Sequence, residues 1–335
     1  KKIGVNEKYI ELRSQNLKKF FEIGFPSKKQ EDWKFLDLSK IISKKIPNLK
    51  YVNEEVFENV DYQSKIQQLE FNITDYNHII FVNGFIKTID LQYEDNNKIQ
   101  VLRNITDKYE DDISLTFLNN ALIYDYIKLF VKNNYTFNKP LIIVNVSNSQ
   151  ISNTNLNQRI DIEVGKNSTL SIGDINLNNS KNNFFNFCKN INLNEGSMLK
   201  NYVLDPFKND NLSYSNTRIN LAKNSISENF ILSTGSNFSK NEILCNLNHE
   251  YSSAFINGVI NIDSDSKHEI RTKINHLSEN TKSYQLIKCA LKNQAKAVYQ
   301  GKIFVDSIAQ KTDGYQLSKA ILLDKETEFN GKPEL

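Results

Sequence analysis

The residues best suited to chemistry are few, and the first to weigh is a carboxylate pair. In "RIDIEVGKNSTLSI", Asp161 and Glu163 lie two apart on a strand-like stretch with Arg159 at the same parity. A two-residue step along a strand separates such groups by about 6.6 Å, within the range of an inverting glycosidase pair. Ile160, Ile162 and Val164 occupy the alternate positions, so the charged set is expected on an outer, solvated face rather than in a catalytic cleft. His268 and His276 share a parity too, but eight residues of strand put them about 26 Å apart, too far for one metal ion. His249 stands alone at a turn, and His78 opens a hairpin.

Cys245 alternates with Ile243 and Leu247, and Cys289 with Ile287 and Leu291, which reads as two small core residues. Cys188 has largely polar neighbours at its own parity and stays ambiguous. No cysteine or histidine spacing matches a zinc or iron–sulfur site. No GxxxxGK[ST] or GxGxxG occurs, so ATP hydrolysis and dinucleotide binding by those routes are not expected.

The elements that must position these groups change character along the chain. "YIELRSQNLKKFFEIGF" puts Ile10, Leu17, Phe20, Phe21 and Phe25 at helical spacings, and Gly24 and Pro26 stop the helix. "PSKKQEDWKFLDLSKII" reads as a turn feeding a short second helix, and "HIIFVNGFIKTI" as a hairpin about Asn83-Gly84. Leu115, Leu118 and Leu122 mark a further helix, which hands over to strand near Tyr126. The division expected is a mixed α/β region over 1–126 and a β region over 127–335.

In the second region, strands end in turns of small and polar residues, "VGKNSTL", "LNEGSML", "LAKNSIS", "IDSDSKH" and "LKNQAKA", starting at 164, 193, 221, 262 and 291. The starts are about 28 residues apart, or multiples of about half that, the mark of stacked coils. A β-helix is expected, with Ile160, Ile162, Val164, Ile303 and Val305 inside, and a β-sandwich is the competitor.

Composition narrows the function class. Of 335 residues, 42 are Lys or Arg and 39 Asp or Glu, a net charge of +3 that sets up no strong field for nucleic acid or a membrane surface. Three cysteines without a CxxC pair form no disulfide framework and fit a reducing compartment. No apolar run reaches the length of a membrane span, and the first residues lack a signal-peptide core, so a cytoplasmic protein is expected, or a plastid one if a targeting segment has been removed. The abundance of Asn, Lys and Ile reads as AT-rich coding, which gives exposed Asn clusters little functional weight.

Two stretches carry a resemblance. From His276 through Ser283, Gln285, Lys288, Gly301, Lys302, Ile303, Gln310, Lys311 and Thr312 to Lys332, Pro333 and Glu334, the C-terminal part is similar to the "H…S.Q..K………GKI……AQKT………KPEL" pattern of the SufB/SufD family of iron–sulfur cluster scaffolds. "GFPSKKQEDWKFLDLSKI", with Trp33, resembles the "G.P…EDWK" signature of the SufD branch, and "FLNNAL" its "LN.A". Where the family has Asp-Gly after "LN.A", this chain has "YDY". The resemblance implies a right-handed β-helix and a non-catalytic scaffold subunit with SufB-like and SufC-like partners. It also implies a cluster held only transiently in the complex, no intrinsic cofactor, and ATP used only through SufC. It places the AQKT block at a corner between coils, where Gln310 and Thr312 would bond neighbouring coils. The motif positions are accordingly expected to be structural. The family pattern continues past KPEL with a strand, a Cys-Ser-His-Gly segment and a helical tail that carry much of the partner and cluster chemistry. This sequence stops at Leu335, so none of its residues takes over those roles, and an isolated chain is expected to self-associate at its last coil.

Overall fold

The computed structural model describes residues 7–51, 62–104, 113–147, 151–178 and 180–335. The chain begins with helix α1 (Glu7–Ile23), a 3-10 turn (Glu31–Trp33), helix α2 (Leu38–Lys45) and the two-residue strand β1 (Lys50–Tyr51). Helix α3 (Gln63–Ile66) and a second 3-10 turn (Ile73–Asp75) lead into the hairpin β2 (Asn77–Val82) and β3 (Phe85–Asp90), followed by β4 (Ile99–Arg103) and helix α4 (Ser114–Leu122). Gly24 closes α1 at φ 75°, and Asn83 and Gly84, at φ 51° and 85°, supply the two left-handed residues that a two-residue hairpin requires.

Every later element is a strand: β5 (Tyr126–Val131), β6 (Leu141–Ser147), β7 (Thr154–Val164), β8 (Thr169–Asn178), β9 (Phe184–Leu193), β10 (Met198–Asp205), β11 (Asn209–Leu221) and β12 (Ile226–Ser233). β13 (Ser236–Leu247), β14 (Ser253–Ile262), β15 (Lys267–His276), β16 (Lys282–Leu291), β17 (Lys296–Val305), β18 (Asp313–Leu322) and β19 (Glu328–Glu334) complete the chain. From β5 onward odd and even strands segregate into two sheets, the first closed by β4 and the second by β2 and β3, ordered β19-β17-β15-β13-β11-β9-β7-β5-β4 and β18-β16-β14-β12-β10-β8-β6-β2-β3. Pairing from β5 and β6 onward is parallel, each strand bonding to the one a full coil away. This is a β-solenoid, and parallel pairing throughout its length excludes the antiparallel sandwich.

The tight turns anticipated at 164, 193, 221, 262 and 291 all join consecutive strands. Asn167, Asn224 and Asn293 hold positive φ in three of them, and Asn153, Asn182 and Asn280 do so elsewhere. Asparagine tolerates the left-handed region at the least cost after glycine. It also builds ladders between coils. Asn275 donates to Asn246, Asn246 to Asn220 and Asn220 to Asn192, at 2.8–2.9 Å, and Asn192 donates to Glu163. The asparagines dismissed as coding bias therefore carry corners and rungs, since a repeated amide at one register satisfies itself along a parallel stack.

The core lies between the sheets, where Ile160, Ile162, Val164, Ile191, Ile219, Cys245, Ile274, Ile287, Cys289 and Leu291 are buried. Ile303 is buried as expected, but Val305 is exposed at the end of β17, beyond the pairing with β19, which ends at Lys302 and Glu334. α1 also departs from its expected face. Phe20 is buried and packs on Phe25, while Ile10 and Phe21 point to solvent. A second apolar cluster runs outside the odd-numbered sheet, joining Phe20, Trp33, Leu38, Ile42, Leu115 and Leu118 to Phe184, Leu212, Tyr214 and Phe238. The N-terminal helices cover this face, which overturns the solvated reading of β7. Arg159 and Asp161 are buried. Arg159 donates to Asn120 of α4 and to Asp161, which also accepts from Tyr126 (2.6 Å) and Asn190.

Candidate functional site

The family-pattern residues converge on the last three coils, some inside the solenoid and some outside. On the inside, His276 ends β15 with its ring between Thr281 (Nδ1 to Oγ1, 2.7 Å) and Ser283 (Nε2 to Oγ, 2.9 Å). Burial pushes this imidazole down to about 4, with Asp313 opposing weakly, so near neutral pH it is an uncharged hydrogen-bonding strut. Thr281 continues the chain of contacts to Thr312 at 3.3 Å. Gln285, fully buried, accepts from the Tyr299 hydroxyl, which also contacts Thr272, each at 3.2 Å. Desolvation raises Tyr299 to about 12 and so keeps it protonated. Gly301 lies against this group: a Cβ there would come 2.4 Å from the Tyr299 hydroxyl and 2.3 Å from Gln316 Oε1. The glycine is required for space rather than for its backbone angle.

The AQKT block forms the β17–β18 corner. The Gln310 side chain stays within its own turn, donating to Ser307 O, and only its backbone carbonyl reaches the neighbouring coil, accepting from Asn280 N. This corrects the expected inter-coil role for the amide. Thr312 does reach across, to Thr281. Lys311 is exposed at φ 56°. Pro333 lies on β19, paired on one side only through Gly301, where a strand without that N–H is tolerated.

Outside, Trp33 anchors a clasp. Its 3-10 turn lies on the odd-numbered sheet with the ring 5.7 Å from Tyr214 and the Lys240 ammonium 4.3 Å above it. Lys240 is wholly buried, donates to Asp32 O (2.6 Å), and is ion-paired with Glu269 and, at 3.4 Å, with Glu242. Gln300 donates to Glu269 (2.7 Å), and Tyr214 to Glu242 (2.7 Å). Burial raises the Glu269 carboxyl, against the pull of Lys240. Arg271 pairs with Asp32, and Lys332 with Glu31 and Glu334. Lys302, exposed, pairs with Glu334 at 3.4 Å, and Lys288 is exposed on the outer face of β16.

Lys240, Glu269 and Gln300 escaped the sequence reading because outward strand positions normally face water. A signal was present. Lys240 and Glu269 are opposite charges 29 residues apart, one coil, and they pair in register. The other candidates are not brought together. His249 is exposed at a turn, whereas His78, His268 and the three cysteines are separately buried. Among the described residues no group of three or more His, Cys, Asp and Glu is arranged to hold a metal ion, and no helix is long and apolar enough to cross a membrane.

Comparison with known proteins agrees with this geometry. The profile described as "SUF system FeS cluster assembly, SufBD core domain" matches residues 145–335. The chain belongs to the SufBD family. It is 23% identical over 334 residues to the iron–sulfur cluster assembly protein SufD of Escherichia coli K12, covering 96% of this chain and 75% of that one. It is also 41% identical over 51 residues to the SufBD family protein slr0076 of Synechocystis, a stretch that is 15% of this chain and 11% of that one. Membership in this family ties the chain to iron–sulfur cluster assembly in the SUF system.

Proposed function

We propose that this SufBD protein is a non-catalytic scaffold subunit, working in the cytoplasm in a complex with a SufB-like subunit and a SufC-like ATPase. ATP then acts only through the SufC-like partner, and the cluster is transient cargo rather than a resident cofactor. Neither nucleic acid nor a membrane is needed as a partner. The observation that carries the reading is the similarity to SufD along nearly the whole chain. The placement of the motif residues supports it: His276, Ser283, Gln285 and Thr312 are bound to one another or to neighbouring coils, which suits a stack that transmits and resists load. The one carboxylate pair suggestive of sugar cleavage is spent structurally, Asp161 on Tyr126, Arg159 and Asn190, and Glu163 on Asn192 and Asn194. The test is co-expression of the full gene product with tagged SufB-like and SufC-like partners. A stoichiometric three-component complex on size exclusion is expected, with ATPase activity only when the SufC-like subunit is present. Failure to capture either partner, or ATPase activity from this chain alone, overturns the proposal.

A further inference from the structure

The even-numbered sheet is covered from outside over part of its length only. On the first coils the segment containing Ile66, Leu69, Phe71 and Ile73 packs against Val144, Ile175 and, less fully, Leu204. In register Leu204 leads on to Leu232 of β12 and Val259 of β14, which are half-buried and lie outside that cluster. Two more columns run beside them, Phe255, Tyr284 and Tyr315 in one and Leu286 with Leu317 in the other. Tyr284 and Tyr315 are 36% and 46% exposed. An apolar strip thus continues from the covered coils onto coils that the covering segment does not reach, and a contiguous exposed strip of this kind marks an interaction site.

The column that begins with leucine and valine ends in charge. Val259 is followed in register by Lys288 and then Lys319, both exposed and neither in a hydrogen bond or ion pair among the described residues. Like charges directly opposite on adjacent strands repel. Elsewhere on this face opposite charges meet in register, Lys200 with Glu228 and Lys282 with Asp313. Around the two lysines the register places Leu286, Leu317, Ala290 and Ile321, and no acid. Ser283 and Gln285, of the same family pattern as Lys288, turn inward and are bonded there, so Lys288 is the member of that group left without a partner.

We propose that the even-numbered face from β12 to β18 docks an acidic amphipathic helix of a partner protein, laid along the stack with its carboxylates over Lys288 and Lys319. Two unmatched positive charges at one end of an apolar strip are what such a helix complements. Four strands about 4.8 Å apart give a run of about 14 Å, the length of about ten helical residues. The helix pitch of about 5.4 Å is close to the rung spacing, so one apolar stripe of the helix meets successive coils. The stacked rings of Tyr284 and Tyr315 supply a preformed floor. Leucine and tyrosine, rather than further cations, flank the lysines, which leaves no basic track for a nucleic-acid backbone.

The probe is a hydrocarbon-stapled helix of about fourteen residues, with leucine at helical spacing and glutamate at one end, compared with the same helix carrying lysine for glutamate. Binding to the full chain is read by fluorescence anisotropy. The acidic helix is expected to bind about tenfold more tightly than the basic one, as two exposed charge contacts allow. Lys288→Glu combined with Lys319→Glu should reverse that preference. Tyr315→Ser should weaken both helices about fivefold, whereas Ile308→Ser, at an exposed apolar position on the β17–β18 corner, should weaken neither. All four substitutions are at exposed positions, where the fold tolerates change. No binding of either helix, a preference that survives the charge exchange, or equal losses from Tyr315→Ser and Ile308→Ser overturns the proposal. So does a dimer on sedimentation that Tyr315→Ser abolishes, since the occupant would then be a second copy.

Discussion

On the outer face of the odd-numbered sheet, Phe184, Leu212, Tyr214 and Phe238 lie beneath the N-terminal helices and the Trp33 turn. On the outer face of the even-numbered sheet, a segment including Ile66, Leu69, Phe71 and Ile73 covers Ile142, Val144, Ile175 and Leu177 in the first coils. Farther along, Phe255, Tyr284 and Tyr315 follow one another rung by rung with both tyrosines exposed, their rings stacked at 4.9 Å and 11°. Both faces consist of residues that alternate with core positions. Alternation tells which side chains leave the core, and it is silent on whether another part of the chain then covers them. Burial makes charge chemistry expensive on the first face, and water keeps it cheap on the second.

The largest expected effect therefore lies at Lys240. Lys240→Ala leaves Glu269 and Glu242 buried with their central cation gone, and breaking such a pair by removing one partner costs about 3–5 kcal/mol. Chemical denaturation followed by circular dichroism reads it. A loss below about 1 kcal/mol would show that water reaches the clasp and that the two faces do not differ as described.

A second effect concerns the interior beneath both faces. Burial depresses His268 to about 4, from an ordinary value of about 6.5. A depressed folded-state value means that the unfolded chain binds the proton first. The stabilising contribution is thus complete above pH 6.5 and is lost as the pH falls toward 4. For a shift of this size the loss is of order 3 kcal/mol. Asp205 works the other way: burial raises it to about 6, so its contribution is present at low pH and lost as the pH climbs through 6. Comparing wild type with His268→Gln between pH 6.5 and 4 isolates the histidine, and the wild type should lose about 3 kcal/mol more than the variant. Parallel curves would mean that the ring is solvated or charged in the fold.

How much of this was legible depends on whether the signal was local. The hairpin at Asn83-Gly84, the core faces of Ile160, Ile162 and Val164, and the coil corners follow from short-range rules of turn chemistry and alternation, and the sequence displays them directly. Arg159 and Asp161 were misplaced because their cover, α4 with Asn120, lies some 40 residues earlier in the chain. Val305 was misplaced for the complementary reason: its alternation is correct, but β19, which stacks on β17, pairs only as far as Lys302 and leaves it uncovered. The Trp33 clasp lay beyond local reading altogether, since Asp32 meets Lys240 across 208 positions.

Gly301 tests whether the crowding inside the last coils is as tight as the geometry shows. Gly301→Ala pushes a methyl group into the Tyr299 hydroxyl and Gln316, and it should cost about 1–3 kcal/mol through overpacking. Tyr299→Phe in the same background removes one of the clashing atoms and should recover part of the loss. Additive effects in the double variant would place the strain elsewhere.

The smallest effect belongs to the open face, and its smallness is what gives the comparison its content. Tyr284 and Tyr315 stack on each other with water on their remaining surfaces, so truncating one removes a ring contact worth about 0.5–1.5 kcal/mol at most. Exposure lets solvent offset much of that, and surface substitutions generally fall within about 0.5 kcal/mol. Tyr315→Ser should accordingly leave the denaturation midpoint of the isolated chain almost unchanged, whereas Tyr214→Ser, on the covered face beneath Trp33 with its hydroxyl on Glu242, should lower it sharply. Equal losses from the two substitutions would mean that the even-numbered face is covered in solution, by a second copy or by another segment of the chain. A change in sedimentation with protein concentration then distinguishes the copy from the segment.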